Sequence, residues 1–188
     1  MINEQEIENL ARRYGEPARA TFEFAPRSLN FCDWVRRLTR RRGEIILVVP
    51  RGGNQVLLHT KPHYPENVYR LPTGGIRQAE AADDAAQREG FEEIGFTPQT
   101  LHLLGVLENV FWFDDEKVIY PSFVFQTEEF ARTPQPTDPD EPISGFMDAD
   151  AIELRVVAHY LSSLPAHWRE WGKFRATAHT WLAEHWQD

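Results

Sequence analysis

The fold of this chain is decided by one stretch, LPTGGIRQAEAADDAAQREGFEEIGF, which extends from Leu71 to Phe96. It contains a glycine pair, Gly74 and Gly75, followed by a short helical segment. Glycine permits the positive φ angles that a tight turn can need. Carboxylates cluster in the second half of the stretch, at a spacing that suits a divalent cation. We therefore expect a shaped loop followed by a helix, with the rest of the chain as its scaffold.

The carboxylates that suggest a metal site are Glu89, Glu92 and Glu93. In a helix of about 3.6 residues per turn, positions i, i+3 and i+4 point to one face. Carboxylates this close repel one another, and each is expected to raise the pKa of its neighbours unless a cation neutralises them. Ligands that are all oxygen favour Mg²⁺ or Mn²⁺. The alternative is a solvated acidic face, which leaves Gly74 and Glu80 unexplained.

The spacing of the stretch resembles the signature of the Nudix hydrolases, G-x5-E-x7-R-E-U-x-E-E-x-G-U, in which U is apolar. The match extends from Gly74 to Phe96. One position departs from the pattern, because Gly90 stands where an aliphatic residue is usual. A glycine inside a helix costs about 1 kcal/mol relative to alanine. We expect Phe91 or Ile94 to fill the space that Gly90 leaves.

The resemblance implies roles for individual residues of the stretch. A backbone carbonyl of Gly74 or Gly75 is expected to bind the metal together with the three glutamates. A salt bridge between Glu80 and Arg88 is expected to fix the loop against the helix. Gly75 and Gly95 are expected to have structural roles, like Glu80. The residues with expected catalytic roles are Glu89, Glu92, Glu93, Arg88 and Glu141.

Residue type leaves two places for the general base. It is either one of the glutamates of the stretch or a carboxylate in the proline-rich segment ARTPQPTDPDEP, residues 131–142. That segment contains Asp138, Asp140 and Glu141, of which we favour Glu141. The alternative is that all three are solvated acids beside prolines.

Three functions are compatible with the resemblance. The first is a metal-dependent pyrophosphohydrolase, a hydrolase of acid anhydrides, which cleaves the diphosphate linkage of a nucleoside diphosphate joined to another group. Water attacks a phosphorus atom, metal ions neutralise the developing charge, and a carboxylate takes the proton. The second is a catalytically silent domain that senses nucleotides. The third is an enzyme like isopentenyl diphosphate isomerase, which needs a catalytic cysteine, and Cys32 lies outside that family's cysteine motif.

Substrate contacts are predicted from residue type. Tyr69 and Trp112 could stack on a base and Arg70 could bind phosphate, although each could equally belong to the core or the surface. The same two interpretations apply to Phe111, Tyr120, Lys61 and His63. The arginines between Arg36 and Arg42 could hold a polyanion or could form a solvated helix face.

Composition narrows the class of partner. The 188 residues include 29 acidic and 20 basic side chains, for a net charge of −9. This charge argues against dedicated binding of nucleic acid or an anionic membrane, so we expect a small nucleoside diphosphate derivative as the partner. Cys32 is the only cysteine, and no segment reaches the roughly 18 apolar residues of a membrane span. We therefore expect a cytoplasmic protein.

The order of elements predicts an α/β (α+β) fold, and the resemblance makes it a Nudix-type α/β/α sandwich with a mixed β-sheet. One domain, 1–188, is expected, with an N-terminal extension (1–42), a Nudix core (43–155) and a C-terminal helical region (156–188). In the core, 44–50 and 55–61 are expected to pair as a hairpin. The last helix, 166–186, is rich in tryptophan, which predicts a packing stripe or a homodimer contact.

Overall fold

The computed structural model describes residues 3–113, 116–140 and 142–186. Within these ranges the chain forms five helices and eight strands. In chain order they are α1 (Glu4–Tyr14), β1 (Ala18–Phe24), α2 (Leu29–Leu38), β2 (Gly43–Val48), β3 (Pro50–Gly52), β4 (Gln55–Thr60), β5 (Thr73–Ile76), α3 (Ala82–Ile94), β6 (Leu101–Phe113), β7 (Glu116–Thr127), β8 (Gly145–Ala149), α4 (Ala151–Ser162) and α5 (Arg169–His185).

The strands form two sheets. The larger has the order β1-β6-β7-β2-β5. It is mixed, because β1 is parallel to β6 and β2 is parallel to β7, whereas the β6–β7 and β2–β5 pairs are antiparallel. The smaller sheet has the order β3-β4-β8 and is antiparallel. The predicted mixed sheet is therefore present, and β5, which carries the glycine pair, lies at its edge.

The predicted hairpin of 44–50 with 55–61 is only partly correct. Strand β2 pairs with β5 and β7 in the larger sheet, and only β3, after Val49, turns back to pair with β4. The continuous apolar run thus crosses from one sheet to the other. Every residue of β2 is buried. A strand that is buried on both faces has a continuous apolar sequence whichever strands it pairs with, so the run could not indicate the partners of β2.

Helices cover both faces of the larger sheet. Ile45 and Leu47 of β2 pack in one apolar cluster with residues of α1 and α3. The alternate residues Ile46 and Val48 pack in another cluster with residues of α5. Side chains alternate between the faces of a strand, so one short strand contributes to both layers. The predicted α/β/α sandwich is confirmed.

The tryptophan-rich helix α5 packs inside the molecule. Trp171, Phe174, Trp181 and Leu182 are all buried, and they belong to the two clusters on one side of the sheet. The predicted packing stripe is confirmed. Because the stripe is used within the chain, it does not itself indicate a second copy.

Helix α3 accommodates Gly90 in a way that the sequence did not suggest. A Cβ atom built at Gly90 would lie 2.7 Å from the carbonyl oxygen of Phe96 and 2.7 Å from Cδ of Pro98. The chain that follows the helix therefore packs directly against the glycine. The expectation that Phe91 fills this space is wrong, since Phe91 is 50% exposed. Ile94 is buried, but the contact at Gly90 is made by Pro98.

Candidate active site

The site begins where β5 meets α3. A Cβ atom built at Gly74 would lie 1.7 Å from Cδ of Glu89. The carboxyl group of Glu89 thus lies directly on the backbone of the strand, which only glycine permits. Small residues also face the strand from the helix, because Ala82, Ala85 and Ala86 are fully buried. Helix and strand can therefore approach closely enough to bring carboxylates to the sheet edge.

Arg88 joins the loop to the helix. Its Nε lies 2.7 Å from Glu80 Oε1 and its Nη2 lies 3.0 Å from Glu80 Oε2. Nη2 also donates to the carbonyl oxygen of Gly75 at 3.1 Å. The predicted salt bridge is therefore present. Burial alone would raise the pKa of Glu80, but hydrogen bonds from the Arg88 guanidinium and the Arg77 N–H outweigh burial and lower it.

The same guanidinium bridges two of the predicted metal ligands. Nη1 of Arg88 lies 2.6 Å from Glu89 Oε1 and 2.7 Å from Glu92 Oε2. Burial would lower the pKa of Arg88, but its contacts with Glu80, Glu89 and Glu92 raise it overall. Two carboxylates thus converge on one nitrogen of a positively charged guanidinium, as they would on a cation that they shared.

Glu93 has a different set of partners. Its Oε2 accepts a hydrogen bond from the backbone N–H of Thr73 at 3.1 Å. Its Oε1 lies 3.2 Å from Nζ of Lys61 and 3.9 Å from Nη2 of Arg70. Glu93 is 1% exposed, and these neighbours offset much of the cost of burying its charge. The three predicted ligands are therefore divided between two groups of cations.

A neutral histidine lies beside Glu93. His59 is fully buried, and its Nδ1 is 3.9 Å from Glu93 Oε2. Burial, followed by the positive charges of Arg70 and Lys61, lowers the pKa of His59 well below its ordinary value. The ring is therefore neutral near pH 7, and the positive charges around Glu93 come from Lys61 and Arg70.

The donors present fit a divalent metal, although the described part of the chain does not assemble a complete group of ligands. Glu89, Glu92 and Glu93 offer only oxygen atoms, the ligand type that Mg²⁺ and Mn²⁺ prefer. Among the residues that the structure describes, no three His, Cys, Asp or Glu side chains form a group that could hold a metal ion. The fit rests on Glu89 and Glu92, whose oxygens both contact Nη1 of the Arg88 guanidinium.

The predicted general base, Glu141, lies outside the described residues. The segment before it does reach the site, because the N–H of Thr137 donates to the backbone carbonyl of Glu92 at 2.9 Å. The N–H of Gln135 donates to the carbonyl of Ile94 at 2.8 Å. These bonds hold the proline-rich segment against the end of α3.

The residues predicted to bind substrate are dispersed. Arg70 is buried, donates to Tyr64 Oη at 2.7 Å and lies 3.9 Å from Glu93 Oε1, so its partners are internal. Tyr69 is partly buried in an apolar cluster. Trp112 stacks under Lys117 near the end of β6, with 5.2 Å between Nζ and the ring centre. Strand β7 runs roughly 17 Å from Lys117 to Ser122, and Ser122 is level with the glycine pair.

The surroundings of Cys32 do not suit the catalytic cysteine that an isomerase would require. It lies in α2, buried with Phe31 and Val35. Burial, followed by the charge of Glu170, raises the pKa of its thiol. A buried neutral thiol is a poor nucleophile, so the structure does not favour the isomerase interpretation.

The arginine cluster borders the site on one side. Arg42 contacts Glu6 and the backbone of Glu80. Arg41 lies along the strand, because a Cβ atom at Gly75 would be 2.9 Å from its Cγ. Arg37, Arg40 and Arg41 are exposed, so binding of phosphate by these three residues stays a prediction.

Sequence reasoning missed the role of Lys61 and His59 beside Glu93. His59 lies near the end of β4 and Lys61 directly follows the strand. Because the two residues are two positions apart, their side chains point to the same face of the strand. Leu57 precedes them with the same spacing. A histidine directly after the apolar residues 56–58 of β4 was the available signal, since buried polar side chains need a partner.

An α/β/α sandwich with a carboxylate-bearing helix against a glycine strand is the architecture that the sequence resemblance implies. The model of the NUDIX domain family matches residues 39–167 of this sequence, which is well over half of its length. The chain therefore belongs to the Nudix family. The named pyrophosphohydrolases among its relatives are hydrolases of acid anhydrides, the predicted enzyme class.

Two relatives share a short segment with this chain. An RNA pyrophosphohydrolase of Baumannia cicadellinicola subsp. Homalodisca coagulata is 35% identical over 63 residues, 34% of this chain and 38% of the relative. An RNA pyrophosphohydrolase of Pasteurella multocida (strain Pm70) is 35% identical over 63 residues, 34% of this chain and 31% of the relative. The match thus spans about a third of each relative's length.

Solved structures share the fold. A dihydroneopterin triphosphate pyrophosphohydrolase of E. coli has a TM-score of 0.51 and 17% identity, over 78% of this chain and 97% of that one. An ADP compounds hydrolase has a TM-score of 0.50 and 19% identity, over 77% of this chain and 71% of that one. At this identity the likeness concerns the fold alone. Among the described residues, no helix combines the length and apolarity that a membrane span requires.

Proposed function

We propose that this chain is a divalent-metal-dependent pyrophosphohydrolase that cleaves a diphosphate linkage in a soluble nucleotide derivative. The observation that carries the proposal is the convergence of Glu89 and Glu92 on Nη1 of Arg88, 2.6 and 2.7 Å away. Two carboxylates held this close need a shared positive charge. Membership of the Nudix family supports the same interpretation.

In this proposal Glu89, Glu92, Glu93 and the backbone of Gly74 hold Mg²⁺ or Mn²⁺. When bound, such an ion neutralises charge on the diphosphate oxygens and lowers the pKa of a bound water. Cleavage of a phosphoanhydride depends mainly on positioning and charge neutralisation. Arg88 contributes the positioning, because it ties the helix carboxylates to the loop through Glu80.

Glu93 is held ready for such a role. Its carboxylate is buried between the N–H of Thr73 and the ammonium of Lys61, so its position is fixed by the sheet before any ligand arrives. A fixed charge avoids reorganisation when the reaction proceeds. Proton transfer from the attacking water is assigned to a glutamate of α3 or to Glu141.

The proposal is tested with a panel of substrates in Mg²⁺ or Mn²⁺. The panel contains nucleoside triphosphates, dinucleoside polyphosphates, nucleotide sugars, NADH, ADP-ribose and an RNA oligonucleotide with a 5′-triphosphate. The RNA is included because of the two RNA pyrophosphohydrolases that match this chain. Release of phosphate, pyrophosphate or mononucleotide is measured with and without EDTA.

We expect metal-dependent release from at least one small nucleotide derivative, in which the products come from cleavage between two phosphorus atoms. Turnover that persists in EDTA would contradict the role of the metal. If the protein binds Mn²⁺ but hydrolyses no member of the panel, the hydrolase assignment fails and the nucleotide-sensing alternative is favoured.

A further inference from the structure

The N-terminal helix α1 contacts the loop that leads into α3. Glu6, Arg13 and Tyr14 of this helix lie before the segment that the family model matches, which starts at residue 39. Helix α3 needs outside support at its start, because its N-cap is Ala81 and no side chain caps it. Replacing a capping side chain by alanine typically costs about 1 kcal/mol.

The first contact runs through Arg42. Its two terminal nitrogens bind the two oxygens of Glu6 at 2.7 Å each. Its Nε and Nη2 also donate to the backbone carbonyl of Glu80, at 2.9 and 2.5 Å. Glu6 and Arg42 are only 17% and 22% exposed. A paired, partly buried guanidinium has few alternative orientations, so Glu6 fixes Arg42 and Arg42 fixes the backbone of Glu80.

The second contact is made on the first turn of α3. Tyr14 Oη donates to Asp83 Oδ2 at 2.8 Å, and Arg13 Nη1 lies 2.8 Å from the same oxygen. The side chain of Asp83 is 8% exposed. A carboxylate in the first helical turn also interacts favourably with the helix dipole. Helix α1 thus binds the chain on both sides of the uncapped residue Ala81.

We propose that helix α1 is a positioning element for the carboxylates of α3, acting through Glu6, Arg42 and Tyr14. The side chain of Glu80 holds Arg88, and Arg88 bridges Glu89 and Glu92. From Glu6 to Glu92, each contact is a hydrogen-bonded ion pair or a hydrogen bond to the backbone, and Tyr14 adds a side-chain hydrogen bond to Asp83. The inference rests on the proposed function for its catalytic consequence, but the ordering of the loop is independent of it.

The competing explanation is that these contacts only stabilise the fold. Helix α1 offers a control in the same turn, because Glu4 is also a first-turn glutamate paired with an arginine, although its side chain is 61% exposed and that of Glu6 is 17% exposed. Arg19 binds the two oxygens of Glu4 at 2.7 and 2.8 Å, and its other partner is Glu108 on β6. Glu4→Gln therefore removes an ion pair of α1 that leads to the sheet, whereas Glu6→Gln removes the one that leads to the site.

The test compares wild type, Glu4→Gln and Glu6→Gln by three measurements. Hydrogen exchange reports the order of residues 77–84, EPR titration reports Mn²⁺ binding, and steady-state kinetics separate kcat from KM. For Glu6→Gln we expect faster exchange in 77–84, a Kd for Mn²⁺ raised about fivefold, and kcat lowered about tenfold with KM nearly unchanged, because small displacements of reacting groups are costly. Glu4→Gln should match wild type in all three.

Equal effects of the two glutamine variants would overturn the proposal, as would unchanged exchange and Mn²⁺ binding in Glu6→Gln. Tyr14→Phe provides a second variant, which removes only the hydroxyl that contacts Asp83, and it should speed exchange at the start of α3. If wild type hydrolyses no substrate while Glu6→Gln still loosens residues 77–84 and weakens Mn²⁺ binding, the proposed function fails and the positioning role stands.

Discussion

Arg88 and Glu80 face each other across the junction of the glycine loop and α3, with two N–O distances of 2.7 and 3.0 Å. The same arginine reaches two further carboxylates, so its planar fork serves several partners at once. Lysine has one point charge and cannot reproduce this geometry. We expect Arg88→Lys to lower kcat by about 10- to 100-fold and the free energy of unfolding by about 1–3 kcal/mol.

The control for that variant is Arg37→Lys, at an exposed position of α2. Urea unfolding and Mg²⁺-dependent kinetics are measured for both proteins. Surface substitutions usually change stability by less than about 0.5 kcal/mol. If Arg88→Lys behaved like Arg37→Lys, the bridging role of Arg88 would be wrong.

Glu93→Gln tests the metal assignment. The glutamine oxygen can still accept the hydrogen bond from Thr73, but the negative charge opposite Lys61 is lost. We expect Mg²⁺-dependent turnover to fall by at least about 100-fold while the circular dichroism spectrum stays that of the folded protein. Asp84→Asn, at an exposed position of the same helix, is the control and should retain turnover. Wild-type rates in Glu93→Gln would refute the assignment of Glu93 to the metal site.

Local pattern was enough to predict α3 and its carboxylates, because helical periodicity depends only on residues within a few turns. The Glu80–Arg88 bridge joins residues eight positions apart, and the family resemblance, not helical spacing, predicts it. Lys61, in contrast, reaches Glu93 because the end of β4 lies beside the segment before β5, where a β-bridge joins the two, and this depends on the chain leaving the larger sheet at Val49. A run of buried apolar residues does not specify its neighbours, so these long-range contacts required the structure.

The same limit explains the error at Gly90. Helix propensity counts a glycine as a local cost, and the family pattern suggests an aliphatic residue there. The structure shows a constraint from outside the helix, the close approach of Phe96 and Pro98. A tertiary contact thus requires glycine at a position where helix propensity alone disfavours it.

Gly90→Ala is expected to destabilise the protein, contrary to helix propensity. Propensity alone predicts a gain of about 1 kcal/mol, but the new Cβ would lie 2.7 Å from the backbone oxygen of Phe96. Overpacking of this kind typically costs about 1–3 kcal/mol. The urea midpoint is compared with that of Gly145→Ala, where the nearest atom, Thr60 Cγ2, is 3.4 Å from the new Cβ. A midpoint above that of wild type would show that the helix, not the contact, controls this position.

His179 should make stability depend on pH. The N–H of Leu71 donates to His179 Nε2 at 3.0 Å, and His179 Nδ1 lies 2.9 Å from the carbonyl of Arg175. This arrangement requires a neutral ring that carries its proton on Nδ1. Burial lowers the pKa of His179 to about 4, despite the opposing effect of the bond to Arg175.

In the unfolded chain a histidine has a pKa of about 6.5. Between pH 6.5 and 4 the unfolded state therefore binds a proton that the folded state does not, and the free energy of unfolding falls as the pH is lowered. Over that range the loss from this one group is on the order of 3 kcal/mol. We expect His179→Gln to be less stable than wild type at pH 7.5, because a hydrogen bond is lost, but to lose less stability on acidification. Urea unfolding at pH 7.5, 6 and 5 gives the free energy of unfolding of both proteins. The carboxylates that the two proteins share titrate alike, so their contribution cancels in the difference. Parallel pH profiles would show that His179 is not held neutral in the folded state.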